Sequence, residues 1–181
     1  MYASIRSTTN RDGEMRRAVR AAAIITALSC APAWADNPTL LEKYKEWSVF
    51  AASGTPKVCF ALAQPKQSTP KGAKRGPIYF YISQWPADGV TNEVSVKMGY
   101  PFSEGAKATA TVGSAKFELF TKDEGAFVEK VDTELGLVEA MKKGTTMKID
   151  GKSARGTATS DTYSLEGLSD ALARIAKECS S

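Results

Sequence analysis

Four cations, Lys66, Lys71, Lys74 and Arg75, fall in the stretch Gln64 to Pro77, which contains no Asp or Glu. Positive charges without a local counter-charge draw anions, here lipid phosphates or anionic envelope polymers, to a surface. The same composition also suits a solubilising connection between strands, and both readings stay open. Covalent chemistry finds less support. Histidine is absent from the chain, which removes Ser-His and Cys-His activation of a nucleophile and the commonest zinc ligand. Asp123-Glu124 with Glu129 is too sparse for a calcium loop and reads as a solvated turn. Lys152-Ser153 lacks the strained turn or buried lysine that a Ser-Lys nucleophile needs. No glycine-rich phosphate loop follows a strand. A carboxylate pair for glycoside cleavage is defined by separation in space, so sequence cannot select one. We therefore expect no catalytic residues, no metal and no cofactor. The aromatic side chains Tyr79, Tyr81, Trp85 and Tyr100 read first as sheet and core packing, with a binding cleft as the alternative.

The first 35 residues read as a secretory signal peptide. Arg16, Arg17 and Arg20 form a basic n-region, Ala21 to Leu28 is a small and apolar run apart from Thr26, and Ala33-Trp34-Ala35 fits a cleavage site before Asp36. The run is too short to span a bilayer. Ala27 stands where a lipoprotein signal carries leucine, so Cys30 is not read as a lipid attachment point. Without this leader the chain keeps 19 Lys+Arg and 18 Asp+Glu, so the basic character belongs mostly to the leader and a nucleic-acid partner loses its support. The remaining domain, 36–181, holds two cysteines, Cys59 and Cys179. In an exported chain an even count reads as a disulfide, with a gain of about 4–5 kcal/mol for so long a loop; two free buried thiols are the alternative. No Cys-x-x-Cys redox motif is present.

These residues need elements to hold them. Leu165, Leu168, Leu172, Ile175 and Cys179 recur at helical spacing, which predicts an amphipathic helix to the C-terminus, capped by Ser164 and complemented at its end by Lys177. Pro38 to Lys45 reads as a short helical or irregular lead-in, and Trp47-Ser48-Val49-Phe50 begins strand character. Pro56 to Ala63 reads as a strand buried on both faces, with Cys59 and Ala61 toward the helix and Val58, Phe60 and Leu62 toward a sheet. Gln64 to Pro77 reads as a long exposed connection. Ile78 to Trp85 and the alternating Val94, Val96 and Met98 follow as strands, with a turn at Pro86 to Gly89 between them. Ala108 to Val112 and Ala115 to Thr121 form a hairpin about Gly113-Ser114. A polar turn at Lys122 to Gly125 leads to a short strand over Ala126 to Lys130. Thr133 to Lys143 is an internal helix with Leu135, Val138 and Met141 on its inner side, Thr133 as cap and Gly144 as stop. Strands over Thr145 to Ile149 and Ser153 to Tyr163 flank a turn at Asp150-Gly151. The sum is a mainly β domain, an antiparallel β-sandwich or partly open barrel, with one short internal helix and a C-terminal amphipathic helix.

Trp47-Ser48, Lys57-Val58-Cys59-Phe60-Ala61-Leu62, Pro77-Ile78-Tyr79-Phe80, Lys116-Phe117-Glu118-Leu119-Phe120 and the run from Arg155-Gly156-Thr157 to Leu168 stand out among these segments. Together, and most strongly in Asp161-Thr162-Tyr163-Ser164-Leu165-Glu166-Gly167-Leu168, they resemble the invasion-associated locus B family. The similarity extends over roughly Leu40 to Cys179. It implies a small exported protein of Gram-negative bacteria, a periplasmic or outer-envelope β domain, and it brings no catalytic residue that maps onto this chain. The expectation is a non-enzymatic envelope protein whose partner is an envelope or host protein or an anionic envelope component, recognised through Lys66, Lys71, Lys74 and Arg75. The alternatives are a hydrolase of envelope material and an inhibitor of a cell-wall hydrolase.

Overall fold

Successive side chains of a strand point to opposite faces, so the register of each strand pair decides which residues share the interior. The computed structural model describes residues 37–52 and 54–180; the expected leader, its cleavage point after Ala35 and Cys30 lie outside them. The strands are β1 (Thr39–Tyr44), β2 (Trp47–Ala52), β3 (Val58–Ala63), β4 (Gln67–Thr69), β5 (Tyr79–Trp85), β6 (Val90–Lys97), β7 (Lys107–Val112), β8 (Ala115–Lys122), β9 (Gly125–Phe127), β10 (Thr146–Lys152) and β11 (Ala158–Ser164). They join one sheet in the order β1-β2-β3-β5-β6-β9-β8-β7-β10-β11-β4, and the pairs are antiparallel. The sheet is not closed, but it coils until its inner faces meet. Phe80 of β5 touches Tyr163 of β11 edge-on, with ring centroids 5.7 Å apart. Trp47 of β2 donates its indole N–H to the carbonyl of Ser164 at 3.2 Å. This is the mainly β, partly open architecture that the alternation implied.

Burial alternates strictly along β2, β3 and β5, which sends Trp47, Val49, Cys59, Ala61, Phe80 and Ile82 into one core. Fully burying a large apolar side chain contributes roughly 1.5–3 kcal/mol. Helix α1 (Val131–Lys143) packs on β6, β7 and β8, and α2 (Leu168–Cys179) packs on β2, β3 and β5 through Leu168, Ala171, Leu172 and Ile175. At its last turn Cys179 is bonded to Cys59 of β3, across 120 residues of sequence.

Several expectations are corrected. Pro38 to Lys45 holds β1, an edge strand that turns back on β2 at Lys45-Glu46, with Lys45 at φ 53. A register shift between Leu40 and Glu42 hides its alternation. The connection from Gln64 contains β4, which pairs with β11. Among the described residues the outer face of β3 meets no second sheet; Phe60 there lies between Phe50 and Tyr81, half-buried. The short strand after the Asp123-Glu124 turn ends at Phe127. In α1 the cap position is Lys130, without a side-chain cap, and Leu137 takes the inner place expected of Leu135, which is 47 % exposed. Helix α2 begins at Leu168 because Tyr163 and Ser164 complete β11. Before it, Gly167 takes φ 85, and a Cβ there would sit 2.3 Å from the Tyr44 carbonyl oxygen. The Ser164 hydroxyl accepts from the Glu166 amide instead of capping the helix.

Asp150-Gly151 is not a turn but the continuation of β10, and the chain reverses over 153–156. Glycine inside a strand marks a close approach. Here a Cβ on residue 151 would lie 2.6 Å from the Tyr100 hydroxyl and 3.1 Å from Met98 Cε.

Candidate functional site

The alternation of β11 sends Thr159, Asp161 and Tyr163 inward, and Asp161 is fully buried. A carboxylate without water must find a cation or lose its charge. Arg75 supplies it with a two-pronged contact: Nη1 donates to Oδ1 at 2.8 Å and Nη2 to Oδ2 at 2.7 Å. Nε and Nη2 also donate to the carbonyl of Met98, at 3.0 and 2.7 Å. The guanidinium lies over the Tyr100 ring, 4.9 Å from its centroid. The Arg75 side chain is only 6 % exposed. The planar fork of arginine suits this geometry as lysine would not. Nearby, the Tyr163 hydroxyl is buried with no hydrogen-bond partner among the described residues. Burial, then the Asp161 charge, push its pKa far above the ordinary tyrosine value. Burial also raises Tyr100, whose hydroxyl shares a 2.7 Å hydrogen bond with Thr159 Oγ1.

The ion pair fixes one end of the loop 70–75, and the pairing of β4 with β11 fixes the other. Between these anchors the loop forms one wall of a cleft of ≈ 240 Å³. The opposite wall is the β10–β11 turn, with Ser153, Arg155 and Thr157. That turn is held by reciprocal hydrogen bonds: Ser153 N donates to the Thr157 carbonyl at 2.9 Å and Thr157 N to Ser153 Oγ at 3.2 Å. Ala154 N adds a bond to the Pro101 carbonyl at 2.8 Å. Lys71, Lys74 and Arg155 line the cleft with Arg75, and its lining residues include no carboxylate. The first three are exposed and in no ion pair among the described residues.

The four-cation group read from the sequence is thus divided. Lys71 and Lys74 reach the cleft. Arg75 does too, but as a buried structural cation already paired. Lys66 lies elsewhere, 2.8 Å from Glu46. The premise of four uncompensated charges is corrected on two counts, and Arg155 joins the site unforeseen. Only the strand pairing sets the Arg155 turn against the loop; the local signal, the Arg155-Gly156 pair, lay inside a stretch that read as strand. Of the aromatic residues, Tyr100 lines the cleft, while Tyr79 and Tyr81 share the outer face of the sheet, with ring centroids 5.8 Å apart. Trp85 donates its indole N–H to Glu93.

Chemically, the cleft offers charge and hydrogen-bond donation. No group of three or more potential metal ligands occurs among the described residues, and no described helix is long and apolar enough to cross a membrane. A sequence model for the family described as "Invasion associated locus B (IalB) protein" matches residues 47–176, from the start of β2 into α2. No curated protein and no solved structure matches the chain.

Proposed function

The chain belongs to the invasion associated locus B family, and from that premise we propose that it is a non-enzymatic, exported binding protein of the cell envelope. Its recognition surface is the cleft of Lys71, Lys74 and Arg155, and its partner carries negative charge there. The observation that carries this reading is the lining itself: three exposed cations beside a buried fourth, with no carboxylate among them. A concave, one-signed surface focuses its field on a ligand more than scattered lysines do. The backbone of both walls is anchored before any ligand arrives, so the ordering cost of binding falls on the exposed Lys71, Lys74 and Arg155 side chains. The Cys59–Cys179 bond supports residence in an oxidising compartment.

The test is retention of an envelope component by the immobilised protein. We expect a partner from a cell-envelope extract to be held by the wild type and lost by Lys71→Ala/Lys74→Ala/Arg155→Ala. Equal retention by both proteins would count against the cleft as the recognition surface.

A further inference from the structure

Resting on that binding reading, we infer that the cleft takes a phosphate monoester group between the loop 70–75 and the turn 153–157. The donors it offers are of three kinds. Arg75 commits four N–H groups to Asp161 and Met98. A guanidinium has five, so one on Nη1 is left without an acceptor among the described residues, on a side chain that lines the cleft. Ser153 Oγ accepts from Thr157 N, and its own proton, like that of the Thr157 hydroxyl, has no acceptor among the described residues. Lys71, Lys74 and Arg155 complete the set as charged donors from both walls.

Charge and shape then select the ligand. Asp161 neutralises Arg75, so the surplus charge comes from Lys71, Lys74 and Arg155. A carboxylate brings one negative charge and two oxygens in a plane. A phosphate monoester brings about −1.5 to −2 and three strong acceptor oxygens, which meets donors converging from two walls. The ≈ 240 Å³ cleft has room for a phosphate with a short substituent, so the remainder of a larger carrier lies outside. A lipid headgroup and a soluble phosphate ester present the same group.

The experiment is a titration of the purified protein with inorganic phosphate, glycerol 3-phosphate and sulfate, followed by amide NMR above and below the second pKa of the monoester, about 6. We expect saturable shifts confined to 70–75 and 153–157. They should weaken by roughly tenfold or more in Lys71→Ala/Lys74→Ala/Arg155→Ala, since removing one charge-assisted hydrogen bond weakens binding by about that factor. Lys66→Ala should leave them unchanged. Glycerol 3-phosphate binding should fall below about pH 6 while sulfate binding does not. Phosphatidylcholine vesicles with and without phosphatidic acid form the second arm. Shifts with glycerol 3-phosphate support a soluble ester, and cleft-dependent binding to phosphatidic acid vesicles alone supports a headgroup. Phosphate and sulfate binding that is equal and indifferent to pH would overturn the phosphate assignment. No response in either arm, with the triple variant still losing its envelope partner, would overturn the assignment but leave the binding reading standing. No response with the partner retained would sink both.

Discussion

Asp161 occupies an inward position of β11, where the pattern of the strand calls for an apolar side chain, and its partner Arg75 lies 86 residues away. Removing one member of such a pair strands the other charge in the interior and costs about 3–5 kcal/mol, whereas replacing both by apolar groups of similar volume is often near neutral. We expect Asp161→Ala to lose stability on that scale in urea unfolding and Arg75→Met/Asp161→Leu to recover most of it. A double variant as unstable as the single would show that the pair contributes more than mutual neutralisation. Neither partner announced itself in the sequence. Arg75 read as one more exposed cation, and Asp161 as a polar residue inside a strand, because burial at this site is decided by strand pairing and not by neighbours in the chain.

At the scale of elements, legibility followed local periodicity. The hairpin of β7 and β8, with Val112 opposite Ala115 across Gly113-Ser114, declared itself through its turn residues. So did β5, through its run of aromatic and β-branched side chains. Strand β4 did not, since three residues at an edge carry no period. In α1, Leu135 and Leu137 both fit a helical stripe with Met141, and only the sheet beneath chooses Leu137. That helix also carries a pH signature. Glu134 accepts from the Val94 amide of β6 at 2.6 Å; burial raises its pKa, Glu93 adds to the rise, and the amide opposes it. A carboxyl with a raised pKa in the folded state holds its proton more tightly there than when unfolded. Its contribution is therefore fully present at acidic pH and lost as pH climbs through the ordinary carboxylate range into the raised value. We expect Glu134→Gln, which still offers a carbonyl to Val94, to be more stable than wild type at neutral pH and to remove that part of the decline. An unchanged pH profile would show that Glu134 titrates alike in both states.

For the whole molecule, the disulfide ties β3 near the start of the sheet to the last turn of α2 and encloses most of the domain. With 120 residues between the cysteines, the chain-entropy model assigns it about 5 kcal/mol. We expect Cys59→Ser/Cys179→Ser to lose several kcal/mol in urea unfolding, and the wild type to lose a comparable amount when reduced. A loss below about 1 kcal/mol would mean that packing of α2 already holds the C-terminus. The cysteines were legible in sequence by count alone, but the cleft was not, because its walls come from a loop and a turn about 80 residues apart. Its role turns on charge. We would therefore measure first the co-sedimentation of wild type, Lys66→Ala and Lys71→Ala/Lys74→Ala/Arg155→Ala with a cell-envelope fraction at low and high salt. We expect wild type and Lys66→Ala to bind alike and to weaken as salt screens the cleft, and the triple variant to stay in solution throughout. Binding by the triple variant equal to wild type at every salt concentration would contradict the cleft as the recognition surface.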